Sequence, residues 1–383
     1  MADTSAKPMN GGDGLHSYTH NSTYQVYIST WIQFFFFFFW TDFVTFNLRW
    51  GVNLANSMIS EAIAELFDVN QFKITSSNHS FSVADLGCSV GPNTFIAVSN
   101  IVESIKLKCQ SHGVPSEAIE FQAFFNDHNS NDFNTLFKSL PHDRQYFAAG
   151  VPGSFHGRLF PDASLHFINS FYALQWLSEV PKEVVDKQSP AWNKGRIYYT
   201  NAPTQVMEAY SAQYGTDMKS FFNARAQELV CGGLMALLIP CPAVGILPSH
   251  SPIIALADLI GATLLDMAKI GLVSEDKVDS FNFPKYNPTQ QELEELIEEN
   301  GCFRIVKMEA LVRDPKMKEA ASDIKMFVPH IRAAWEGLIK DNFGSEIIDE
   351  LFHRFTNKLL ETFTLDHTSF EKIAELFVLL QRN

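Results

Sequence analysis

An α/β fold, with a mostly parallel, doubly wound sheet and a helical cap, is predicted for this chain by three observations. Short apolar segments alternate with helix-period segments between residues 81 and 240, the order that a parallel sheet with crossover helices requires. The first apolar segment ends in Asp85-Leu86-Gly87 and leads into a helical pattern. Beyond residue 251 longer helical stretches interrupt the alternation.

Taken in order, residues 51–69 carry Leu54, Met58, Ile59, Ile63 and Leu66 at the spacing of one helix face. Residues 81–86 read as a strand, 87–94 as a turn, and 95–108 as a helix with Val98, Ile101, Val102 and Ile105 on one side. Residues 119–125 form a second strand, and the polar loop 126–134 enters another helix. Residues 146–150, 165–169 and 234–240 supply further strands. A long helix over 217–230 and the pair Gly232-Gly233 precede the last of these. Residues 303–309 and 377–381 are expected to pair as late strands, with the helical stretches 251–270 and 329–361 capping the sheet edge. No internal repeat is visible.

The 383 residues suffice for a sizeable core, and 29 basic against 43 acidic side chains leave a net charge of −14. That sign opposes the basic footprint needed on a phosphate backbone, so no nucleic-acid partner is expected. The cysteines (Cys88, Cys109, Cys231, Cys241, Cys302) are scattered, odd in number and without a C-x-x-C pair. They fit a reducing compartment and signal neither a disulfide framework nor a zinc site. The first 25 residues are polar and lack an apolar h-region, so no cleavable signal peptide and a cytoplasmic location are expected.

Residues 26–50 stand apart. Phe34 to Phe39 form an unbroken run within a chain of 34 phenylalanines, and the segment has neither a helical nor a strand period. Gln33 and Asp42 keep its apolar stretch shorter than the roughly 20 residues of a spanning helix, and the flanks lack a Lys/Arg bias, so a membrane anchor is disfavoured. Phenylalanine has T-rich codons and Val26 a GT-beginning one, so the segment reads as a translated intron. Without it Gln25 would run directly into the Gly51 helix.

Chemistry first gathers at the end of the first strand. Asp85 followed by Gly87 and Gly91 and then a helix is how a doubly wound sheet lets its backbone approach a nucleotide-like ligand. The pattern is not G-x-G-x-x-G and no P-loop lysine follows, so phosphate binding is not indicated. One strand later Asp127 lies just past Phe125, where a carboxylate accepts from two ribose hydroxyls, or equally caps a helix.

The runs MNGGDGLHSYTHNSTYQ, VADLGCSVGPNTF, FFNDHNSNDFNTLF, YFAAGVPGSFHGRLFP, NSFYALQWLSEVP, NKGRIYY, ARAQELVCGGLM and VDSFNFPKY, in this order, resemble the plant SABATH methyltransferases. That family methylates small carboxylic acids such as salicylic, loganic and farnesoic acids, or xanthines. The resemblance covers the chain apart from residues 26–50. It implies S-adenosylmethionine as donor, a Rossmann-like methyltransferase core and commonly a homodimer. The chain then divides into an N-terminal lid (1–25), the insertion (26–50), a donor-binding core (51–244) and a cap with late strands returning to the core sheet (245–383).

By motif position the resemblance places Tyr18, Gln25, Asp85, Gly87, Cys88 and Asn93 around the donor, with Asp127 and His128 at its adenosine. Ser154 and Phe155 flank the adenine, and Phe171 lies near the sulfur. The acceptor carboxylate is held by the Gln25 amide and the Trp176 indole N–H, with Tyr172 and Gln175 completing the wall. Many carboxyl-methylating members carry His or Met where this chain has Gln175. A neutral amide suits a carboxylate or a purine edge, leaving N-methylation of a xanthine as the alternative to an acid. An inactive or membrane-tethered relative is a third, because of the insertion. The runs FFNDHNSNDFNTLF and AAGVPGSFHGRLFP look closer to the loganic and farnesoic acid branch, which favours an acid. Asn193, Asp279, Asn282 and the Phe281 carbonyl match positions that bind a structural Mg²⁺ in some members.

A chain lacking residues 26–50 is expected to give more soluble and more active protein than the full-length chain. An aperiodic apolar run has no face to bury and favours association. Fractionation with activity counted per folded molecule checks this; equal solubility and activity of the two chains would refute it.

Overall fold

The computed structural model describes residues 9, 43–69, 79–115, 119–243, 245–246, 251–311, 324–362 and 373–383. Strands β1 (His79–Leu86), β2 (Ile119–Asp127), β3 (Phe147–Pro152), β4 (Leu165–Phe171), β5 (Leu229–Pro242), β6 (Phe303–Leu311) and β7 (Ile373–Arg382) form one sheet in the order β3-β2-β1-β4-β5-β7-β6. Strands β1 to β5 are parallel, and β7 runs antiparallel between β5 and β6. The fold is therefore the doubly wound α/β class expected, and the two late strands do pair. The strand order reverses between β1 and β4, and the crevice above their carboxyl ends is where such a sheet binds its ligand.

Burial on both faces explains the near-continuous apolar strands. Along β5, Leu234, Ala236 and Leu238 enter one core, while Met235, Leu237 and Ile239 enter the other. Helices α1 (Phe43–Leu66) and α2 (Pro92–Ser111) cover the first face through Ile59, Ile63, Val98, Ile101 and Ile105. On the second face lie α5 (Thr204–Glu228), α6 (Pro252–Lys269), α9 (Ile324–Phe343) and α10 (Ile348–Thr362). The shorter helices are α3 (Phe133–Lys138), α4 (Lys182–Val185), α7 (Glu275–Ser280) and α8 (Gln290–Asn300). Among the described residues, no helix is long and apolar enough to cross a membrane.

Several boundaries differ from expectation. Helix α1 begins at Phe43 and not at Gly51, so residues 43–50 continue it; extending an existing helix lacks the nucleation cost of starting one. The rest of the 26–50 segment lies outside the described residues. Helix α5 starts at Thr204, well before Asp217, because its buried face is built from Val206, Tyr210 and Tyr214, whose hydroxyls make the pattern read as polar. Gly232 (φ +80°) and Gly233 fall inside β5, at a register shift where Leu165 faces Leu229 but Phe167 faces Leu234. The stretch 329–361 is two helices broken at Gly344 (φ +97°), and Pro329 lies inside the first of them.

A buried ion pair holds the wall of the crevice to helix α5. Arg225 and Glu228, near the end of α5, are both fully buried and 2.7 Å apart. Arg225 also donates to the carbonyls of Phe155 (2.7 Å) and Gly157 (2.9 Å), while Glu228 accepts the N–H groups of Leu159 (2.6 Å) and Phe160 (3.0 Å). The loop after β3 is thus fastened through its backbone at four points. Arg225→Met leaves a buried carboxylate without its cation and is expected to cost about 3–5 kcal/mol. Urea denaturation measures it, and a loss below about 1 kcal/mol, the level of an exposed pair, would contradict this role.

Candidate active site

The loops after β1, β2 and β3 are stitched together at the end of β2. The N–H groups of Gly87 and Cys88 both donate to the Asn126 carbonyl at 2.9 Å. The Asn126 side-chain amide in turn donates to the carbonyls of Val151 (2.8 Å) and Gly153 (2.9 Å). Beside it the Asp127 carboxylate accepts the N–H of Ser89 and the N–H of His128, each at 2.7 Å. Burial raises the Asp127 pKa, and the two amide bonds pull it back down. Gly87 is required twice over: its φ is +80°, and a Cβ there would lie 2.3 Å from the Ala173 Cβ.

Asp85 sits below this turn. Its carboxylate accepts from Thr94 in the first turn of α2 and from the Asn169 amide of β4 at 2.6 Å, tying three elements together. Burial pushes its pKa up to about 6. Cys88 is buried, and burial, with Asp127 and Asp85 adding to it, raises its thiol well above the ordinary range. It is a neutral packing residue, since the thiolate is the reactive form.

Above lies an open cavity of about 760 Å³, a volume that includes the adjoining solvent space at its mouth. Gly87, Ser89, Asp127 and His128 line one side, residues 153–156 a second, and Tyr172, Ala173 and Trp176–Ser178 a third, with Met9 at its edge. Of the residues singled out from sequence, Gly87, Asp127, His128, Ser154, Phe155, Tyr172 and Trp176 meet here. Asp85, Cys88 and Asn93 stand behind this lining, and Phe171 packs into the core on the α1–α2 side. Gln175 is buried behind the wall, its amide donating to the Tyr172 carbonyl of its own turn at 2.6 Å. Tyr18 and Gln25 lie outside the described residues.

The acceptor-side turn is held in an unusual shape. Tyr172 has φ +56°, in the left-handed region that costs a side chain of this size about 1–3 kcal/mol. Its hydroxyl donates to the buried Glu375 of β7 at 2.7 Å. Gly51 of α1 packs against this pair so closely that a Cβ would lie 2.2 Å from the Tyr172 oxygen. Farther along, Asp217 of α5 accepts the N–H (2.8 Å) and the hydroxyl (2.6 Å) of Ser178. His156, buried in the second wall, is kept neutral by burial.

Sequence reading missed Arg225, Glu228, Asp217, Glu375 and His156. An Arg and a Glu three apart in a helical run was the one available signal for the first two; the partners of the others are distant in the chain.

The residues matched to a metal site also come together. Asn193 and Asn282 are buried and bonded to each other at 2.7 Å, Asn193 donating also to the Tyr198 carbonyl (3.1 Å). Asp279 accepts the Gly195 N–H at 2.8 Å. The Oδ1 of Asn193 is buried without a partner, and an orphaned oxygen of this kind is one a hard cation would accept. Among the described residues no cluster of three or more His, Cys, Asp or Glu could hold a metal.

Comparison with known proteins follows the same lines. The sequence profile of the family described as SAM dependent carboxyl methyltransferase matches residues 49–383. Loganic acid O-methyltransferase of Catharanthus roseus is 42% identical over 378 residues, covering 98% of this chain and 94% of that protein. The protein named probable caffeine synthase 2 of Camellia sinensis is 33% identical, covering 98% and 97%. A solved loganic acid methyltransferase with SAH superposes with a TM-score of 0.86 at 40% identity, covering 98% of this chain and 99% of that one.

Proposed function

Because the chain belongs to the SAM-dependent carboxyl methyltransferase family, we propose that it methylates the carboxylate of a small acid with S-adenosylmethionine, giving a methyl ester. The observation that carries this reading is that Asp127 and Trp176 line the same cavity. The donor, when bound, supplies a methyl group activated on a sulfonium. Asp127, half-buried on the cavity side, has lone pairs left for the ribose hydroxyls. Gly87 gives the close backbone approach, Ser154 and Phe155 border the adenine, and Asp85, Cys88 and Asn93 support the turn from behind.

On the acceptor side no general base is needed, because a carboxylic acid with a pKa of about 4 is ionised near neutral pH. The acceptor oxygen takes the methyl carbon as the C–S bond breaks and its electron pair returns to sulfur. This chain's residues align oxygen, carbon and sulfur, a contribution of roughly 7–11 kcal/mol when near-attack geometry is held, and keep water out. The Trp176 indole N–H holds the carboxylate, Gln25 provides the second donor, and Tyr172 closes the wall. An acid is preferred to a xanthine because identity is higher to the loganic acid relative than to the caffeine synthase relative.

We further assign a structural Mg²⁺ to Asn193, Asp279, Asn282 and the Phe281 carbonyl, on the strength of the orphaned Asn193 oxygen, and a homodimeric, cytoplasmic protein. The free thiols of Cys88, Cys109, Cys241 and Cys302 support the reducing compartment. Thermal unfolding and sedimentation with and without EDTA test the metal and the dimer. An unchanged melting temperature removes the metal, and a monomer removes the dimer.

Trp176→Phe keeps an aromatic wall and removes the donor. Affinity for S-adenosylhomocysteine should stay within about twofold while kcat/KM for the best acid falls about tenfold or more, the loss of a hydrogen bond to a charged group. A screen of acids and xanthines with labelled donor finds that acid. Turnover of xanthines alone, or undiminished ester formation by the variant, would overturn the assignment.

A further inference from the structure

Beside the cavity lies a cation that no anion among the described residues accompanies. Trp176 and Lys285 form an antiparallel bridge, flanked by Leu177 N–H to Pro284 carbonyl and Tyr286 N–H to Gln175 carbonyl bonds, both 2.8 Å. This is the non-hydrogen-bonded kind of pair, in which side chains project to the same face with Cβ atoms about 4.5–5.5 Å apart. The Lys285 side chain therefore leaves the backbone on the same face as the indole of Trp176, which lines the cavity, while Lys285 itself stands just outside the lining. Its ammonium lies 5.8 Å from the centre of the Trp335 ring.

Nothing among the described residues neutralises it. Burial alone pushes the Lys285 pKa down to about 8, with no carboxylate opposing the shift. The titratable group facing it, His330 of α9, is pushed down to about 4 by burial and by Lys285 itself, so it is neutral and no counter-ion. No Lys or Arg is among the residues lining the cavity, and the donor side carries Asp127. A half-buried ammonium without a partner is costly, and an anionic ligand beside Trp176 removes that cost.

We infer that Lys285 is an acceptor-binding residue whose ammonium, on the same face as the Trp176 indole, pairs with the carboxylate of the incoming acid and selects anionic over neutral acceptors. This deepens the carboxyl-methylation reading and rests on it. A xanthine, being neutral, would leave the ammonium as it is. Methylation neutralises the acid, so the ester loses its ion pair and is released more readily than the acid.

The test uses the full-length enzyme and its best acid from the labelled-donor screen. Lys285→Met should raise KM for the acid about tenfold or more, leave kcat within about twofold, and leave S-adenosylhomocysteine affinity unchanged. In the wild type, KM should climb as pH passes about 8, where the free ammonium loses its proton. Lys285→Met should lose that inflection, and Lys285→Arg should keep a low KM while moving it to higher pH, because guanidinium stays charged. A KM within about twofold of wild type in a folded Met variant, with the inflection retained, would overturn the inference while leaving carboxyl methylation intact. If the wild type methylates xanthines and no acid, both readings fall together. Should the Met variant not fold, the Arg variant's pH profile decides, an unmoved inflection counting against Lys285.

Discussion

The end of strand β2 is where the active site is made, because two adjacent residues there, through one backbone carbonyl and two side chains, satisfy the backbone of three loops. Asn126 takes the amides after β1 on its carbonyl and gives its own amide to the loop after β3. Asp127 ties Ser89 and His128 to one carboxylate. Loops carry polar backbone that must find partners when buried, and here one of the partners, Asp127, also lines the cavity. The positive φ of Ser89 (52°) is held in place by its bond to Asp127. The buried Arg225–Glu228 pair completes the arrangement from below by fastening the second wall to helix α5.

Charge is distributed with a division of labour. The chain is strongly acidic, and two of its carboxylates, the buried Asp85 and the half-buried Asp127, lie at the end of the cavity proposed for the sulfonium-bearing donor. Lys285 lies by the opposite wall, where the acceptor brings the negative charge. Transfer of a methyl from a cation to an anion yields two products without those charges, so a site that presents opposite signs at its two ends binds the reactants better than the products. Binding energy of that kind turns the site over without a proton-transferring residue.

Much of the fold was legible in the chain, because a parallel sheet buries both faces of each strand and writes itself as short apolar runs. The Asp85–Gly87 turn, Asp127, Ser154–Phe155 and Trp176 lie close to the strand ends, and the fold brings Gly87, Asp127, Ser154, Phe155 and Trp176 to one cavity. Gln175 does not line that cavity: beyond the left-handed Tyr172 its amide returns to the carbonyl of its own turn, while Trp176 faces the cavity. The start of α5 was hidden because tyrosines supply its buried face.

What the sequence by itself determined is the fold class and the order of the motifs along it, since each depends on neighbours only a few positions apart. Only the tertiary structure decided the partnerships: Arg225 with the loop at 155–160, Tyr172 with Glu375, Asp217 with Ser178, and Trp176 with Lys285. These pairs are separated by tens to hundreds of residues, and no local period or spacing records them. Their physical origin is the requirement that each buried polar group find a partner, a condition met only when strands and helices distant in the chain are packed side by side.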